Sequence, residues 1–126
     1  MTRVIIAGSR DIDDYDLLLQ AIKDSGFEIT EVFSGACLNK KPGIDFSKGV
    51  DGLGERYAKE KNLGVRFFEA DWDIHGRAAG PLRNARMAEY AEALICIHKK
   101  DSRGSKNMIR CAKEQNLKIY SVEVDN

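Results

Sequence analysis

The chain has 126 residues, a size that suits one domain with a single core. Its 43% hydrophobic and 32% charged residues read as globular rather than disordered, and 20 basic against 20 acidic side chains argue against a nucleic-acid binder held by bulk positive charge. No apolar run approaches the ~20 residues of a membrane span, the first strand is too short for a signal-peptide core, and Cys37, Cys96 and Cys111 form no C-x-x-C pair, so a reducing, cytoplasmic location is expected.

In chain order, residues 3–8 (RVIIAG) are apolar and β-branched and read as a strand buried on both faces, ending in Gly8-Ser9-Arg10. Residues 14–25 put Leu18, Ala21 and Ile22 on one helical face, and Gly26 supplies the stop. ITEVFSG is a second short strand, ending at Ser34-Gly35. Residues 36–50 form a long insertion carrying Lys40, Lys41 and Lys48, beyond the usual length of a βα loop. Residues 51–62 form a helix with Leu53, Tyr57 and Ala58 inward. GVRFFEA is a third strand, 79–92 a helix with Pro81 in its first turn, and ALICIH a fourth strand with Cys96 in its core. Residues 104–116 are a fourth helix and KIYSVEV a fifth strand. The alternation predicts an α/β fold: residues 1–126 as a single Rossmann-like, doubly wound domain of about five parallel strands with helices on both faces.

In such a sheet, ligands bind beyond the carboxyl ends of the strands. The informative stretches are therefore Gly8-Ser9-Arg10, Ser34-Gly35-Ala36, Asp71 to Arg77 with Gly80 to Asn84, and His98 with Ser102 to Lys106. Glycine and hydroxyl residues at helix starts, with Arg10, Arg77, Arg83 and Arg103 beside them, favour an anion such as a phosphate. Each stretch alone also suits an ordinary turn or helix cap; convergence on one edge lifts the functional reading. His75 and His98 lack metal-like partner spacing, so no metal is expected, and no cofactor beyond a nucleotide-type ligand. A standard NAD-dependent dehydrogenase is disfavoured, because the three-glycine fingerprint is missing and the second strand ends in Ser34 rather than an acid that reads ribose.

Together, AGSR, GVDGLGERYAKEKN, ADWDIHGRAAGPLRNARMAEYAEALI and SRGSKNMI resemble the YspA-like branch of the SLOG superfamily. That superfamily groups Rossmann-like domains related to the DNA-processing protein DprA/Smf and to the LONELY GUY phosphoribohydrolases, and such domains are common in bacteria and phages. The resemblance spans nearly the whole chain and implies a nucleotide-type ligand at the strand ends. It implies contacts from Gly8, Ser9, Arg10, Ser34, Gly35, Asp51, Gly80, Arg83, Asn84, Gly104 and Ser105, to which the charge argument adds Arg103. Two departures stand out. Ala36 and the insertion interrupt the second loop, and Met108 occupies the position of the LONELY GUY catalytic glutamate, where a thioether cannot do acid–base work.

Three functions follow as expectations. The first is a sensor or carrier that binds a nucleotide-derived phosphorylated small molecule, ADP-ribose-like or a nucleoside monophosphate. The second is an enzyme acting at a nucleotide N-glycosidic bond, with its carboxylate from Asp51, Glu55, Asp71 or Asp73. The weakest is single-stranded DNA binding. Homo-oligomerisation is expected from fold analogy, through the third helix with Met87, Tyr90 and Trp72 nearby.

Overall fold

The computed structural model describes residues 2–35 and 49–125. The predicted insertion falls mostly on residues 36–48, which lie outside the described part, as do Lys40, Lys41 and Lys48. Its last two residues belong elsewhere: Gly49 and Val50 open a helix.

The elements are β1 (Arg3–Gly8), α1 (Tyr15–Ser25), β2 (Glu31–Ser34), α2 (Gly49–Glu60), β3 (Gly64–Phe67), α3 (Trp72–His75), a 3-10 turn (Gly76–Ala78), α4 (Ala79–Tyr90), β4 (Ala93–Lys99), α5 (Arg103–Glu114) and β5 (Lys118–Val124). Five strands form one sheet in the order β3-β2-β1-β4-β5, and every pairing is parallel. β1 and β4 lie at the centre, with Gly8 opposite Ile97.

Period-two alternation divides the core. Val4, Ile6, Val32, Ile95 and Ile97 face α1 and α2 through Leu18, Ile22, Val50 and Leu53. Ile5, Phe33, Leu94 and Cys96 face α4 and α5 through Met87, Ala88, Met108 and Ala112. The middles of the central strands, residues 4–7 and 93–97, are therefore apolar on both faces, as expected for parallel strands covered on both sides. Met87 is 1% exposed, which removes it from any interface between copies of the chain; Tyr90, by contrast, is 45% exposed.

Local chemistry sets the helix ends. Asp14 caps α1 by accepting from the Leu17 amide, and Gly26 closes it in the left-handed conformation. Ser102 caps α5 in the same way, accepting from the Ser105 amide. The stretch from Asp71 to Ala78, expected as loop, contains the short α3 and the 3-10 turn, started by Asp71 accepting from the Ile74 amide at 3.2 Å.

Candidate functional site

The strand order β3-β2-β1-β4-β5 reverses its sense between β1 and β4. From there the chain leaves β1 towards α1 and β4 towards α5, which opens a crevice at the carboxyl edge of the sheet. A cavity of about 600 Å³ occupies that crevice, within the size range of small-molecule sites. Its wall includes Gly8, Ser9, Arg10, Gly35, Asp51, Arg83, Asn84, Gly104 and Ser105, nine of the positions expected from sequence.

The floor is the end of β1. Gly8 is demanded by the protein itself: a Cβ there would sit 1.9 Å from the Ile97 carbonyl oxygen and 2.8 Å from Val50 Cγ2. The glycine thus lets β4 and α2 close over β1. Ser9 is 7% exposed. Its amide donates to the Ile97 carbonyl at 3.1 Å, and its carbonyl accepts from the Val50 amide at 3.2 Å. Its hydroxyl accepts from the Lys99 amide at 2.9 Å, so the hydroxyl proton has a lone direction left in which to donate. Gly49, with φ +79°, starts α2 against Arg10, whose Cα a Cβ would meet at 2.5 Å. These contacts lock the β1 loop, the α2 start and the β4 end together.

The α5 start forms one wall. The Ser102 hydroxyl donates to the Ser105 hydroxyl at 2.7 Å. No acidic residue lies in the first turn, so the amide dipoles there keep their partial positive charge. A Cβ on Gly104 would meet nothing within 4 Å. Unlike Gly8, this glycine answers to no packing need among the described residues, and its bare backbone borders the cavity.

Arg83 and Asn84 form the opposite wall from α4. Arg83 donates through Nη1 to the Gly35 carbonyl at 2.6 Å and through Nε to Asn84 Oδ1 at 2.9 Å. Asn84 Nδ2 in turn donates to Asn107 Oδ1 at 2.9 Å. This chain of bonds fixes the guanidinium across α4, α5 and the loop after β2.

Asp51 lies in the first turn of α2 and borders the same cavity. Its Oδ1 is shielded from solvent and, among the described residues, has no hydrogen-bond partner. Burial pushes its pKa up to about 6; the Arg83 and Arg10 charges pull it down, and Glu55 pushes it up. Glu55, one turn along the helix, is also raised by burial, against the Ser34 hydroxyl that donates to its Oε2 at 2.9 Å.

Other expected positions lie apart from the cavity wall. Ser34 is fully buried and bonded to Glu55. Gly80 is buried in the first turn of α4, and Arg103 is exposed at the start of α5. Asp71 and Asp73 are exposed, one capping α3 and the other within it. Glu55 stands behind Asp51. Of the four proposed catalytic carboxylates, Asp51 is the one on the cavity wall.

Sequence reasoning missed Asp11, Lys99 and Asp101 as wall residues; Ser102, one of the strand-end residues, and Met108, at the position of the LONELY GUY glutamate, also line the cavity, Met108 while 1% exposed. Lys99 Nζ meets Asp11 Oδ2 at 2.6 Å, an ion pair joining the ends of β1 and β4. This bond holds the Asp11 carboxyl below its usual range. The strand-end rule would have found Lys99 had β4 been extended by one residue. Among the described residues no cluster of metal-ligating side chains exists.

Over 106 residues the chain is 31% identical to the "Gene 61 protein" of Mycobacterium phage D29, an alignment covering 77% of this chain and 75% of that protein. No protein-family model matches the chain. No solved structure matches it.

Proposed function

The chain belongs to the family of the phage D29 Gene 61 protein, and we propose that it binds a nucleotide or nucleotide-derived phosphorylated small molecule in the crevice between β1 and β4. One observation carries this reading: the α5 start, with no acid in its first turn and with Gly104 leaving its backbone bare, faces the same cavity as Arg10 and Arg83. Backbone amides at a helix start and fixed guanidinium groups are the standard means of holding a phosphate. A cavity of about 600 Å³ has room for a nucleoside monophosphate.

The reading agrees with the SLOG resemblance of the sequence, which we adopt as a proposal. In the carrier or sensor form, no chemistry is asked of the site, consistent with Met108 at the position of the LONELY GUY glutamate. Isothermal titration against the nucleoside monophosphates and ADP-ribose tests it: saturable binding of at least one is expected, and none at millimolar ligand overturns it.

A second reading rests on Asp51. A carboxyl with a pKa raised to about 6 inside a cavity is suited to acid–base work at an N-glycosidic bond. Release of free base from a nucleotide, lost in Asp51→Asn, is its test. Single-stranded DNA binding draws little support from zero net charge.

We further propose a cytoplasmic setting, in keeping with Cys96 and Cys111 being free and buried. No helix among the described residues is long and apolar enough to cross a membrane. Self-association, proposed from fold analogy, predicts a concentration-dependent sedimentation coefficient; a monomer at all concentrations overturns it.

A further inference from the structure

The fold does not account for Asp51. It sits in the first turn of α2, among donors that are committed elsewhere. Arg83 directs Nη1 to Gly35 and Nε to Asn84, and the Ser34 hydroxyl goes to Glu55. Among the described residues, Oδ1 of Asp51 is left shielded and without a partner. A buried carboxylate oxygen in that state costs stability, which a ligand donor can recover. The residue as a whole is half-buried and forms part of the cavity wall. The second torsion of an aspartate is soft and roughly two-fold, which lets the carboxyl adjust to a donor on a ligand.

The cavity is therefore polarised. The α5 start offers donors and partial positive charge without an acid in its first turn, while the α2 start already holds a negative side chain. A phosphate is drawn to the former and repelled by the latter. What suits Asp51 is a neutral donor on the same molecule. In dinucleotide-binding sheets an acid at the end of the second strand accepts from a ribose hydroxyl. Here β2 ends in Ser34, and the acid stands at the start of the next helix instead.

Resting on the phosphate-binding reading above, we propose that Asp51 accepts a hydrogen bond from a ribose 2′ or 3′ hydroxyl of a ribonucleoside 5′-phosphate whose phosphate lies at the α5 start. The site thereby selects ribonucleotides over nucleotides that lack the sugar diol.

The test is calorimetric titration of the four ribonucleoside 5′-monophosphates and their 2′,3′-dideoxy counterparts into wild type and Asp51→Ala. In wild type the ribonucleotide that binds is expected to do so about 10- to 100-fold more tightly than its dideoxy form. In Asp51→Ala the two forms bind alike, near the dideoxy level. Equal binding of both forms by wild type overturns this inference while leaving the phosphate-binding reading intact. Binding by none of the monophosphates overturns both. Should Asp51→Ala fail to fold, the wild-type comparison decides alone.

Discussion

Replacing Asp51 with asparagine should stabilise the ligand-free protein, and by an amount that depends on pH. Asparagine keeps the shape of the side chain and removes the buried charge. The Asp51 carboxyl titrates near 3.8 unfolded and at about 6 folded, chiefly because burial disfavours the charged form. The folded state thus binds the proton more tightly than the unfolded state. Below the unfolded value both states are protonated, and the residue carries no penalty. As pH rises from there to about 6, the unfolded chain loses its proton first and native stability falls, reaching a loss of about 3 kcal/mol that persists at higher pH. Asp51→Asn escapes this loss. Urea denaturation from about pH 3.5 to about pH 8 should show the two proteins similar at the acid end and the variant more stable by up to about 3 kcal/mol at the alkaline end. A gap that does not grow with pH, or a variant less stable than wild type near about pH 8, would refute the account of Asp51 as a buried, unsatisfied acid.

The two cavity glycines should behave in opposite ways. Gly8→Ala should cost at least about 3 kcal/mol in urea denaturation, since its Cβ would run into the Ile97 carbonyl; an ordinary melting curve would contradict that packing. Gly104→Val should leave stability within about 0.5 kcal/mol, because a Cβ there meets nothing, yet weaken nucleotide binding at least about tenfold by calorimetry; unchanged affinity would remove the α5 start from the site. Arg10→Ala should weaken a phosphorylated ligand about tenfold with the urea midpoint kept, and equal affinity would reduce Gly8-Ser9-Arg10 to a turn.

Much of the fold was legible because its signals are local. The β-branched run of β1, the apolar run of β4, the Leu18-Ala21-Ile22 face and the Gly26 stop each declare an element within a few residues. The strand-end rule picks out eight of the nine expected wall residues without strand order, and the family resemblance supplies the ninth, Asp51. What escaped depends on neighbours distant in sequence. Gly8 borders the cavity, but the need for a glycine there also comes from the Ile97 carbonyl, on a strand nearly ninety residues away, which no local pattern reveals. Ser34 was assigned to the ligand, but Glu55 on α2 takes its hydroxyl. Asp71 and Asp73 were grouped with Asp51 because they follow a strand; the short α3 turns them to solvent. The isolation of Asp51 Oδ1 depends on where Arg83 spends its donors, a three-dimensional fact with no counterpart in spacing.

The central claim is that the β1–β4 crevice holds a phosphorylated nucleotide-type ligand. A titration of isotope-labelled protein with nucleoside monophosphates and ADP-ribose, followed by backbone amide shifts, tests it most directly. The account predicts saturable shifts concentrated at Ser9, Gly35, Asp51, Gly104 and Ser105, with the β3 edge unmoved. Shifts centred away from these residues, or none at millimolar ligand, would contradict it.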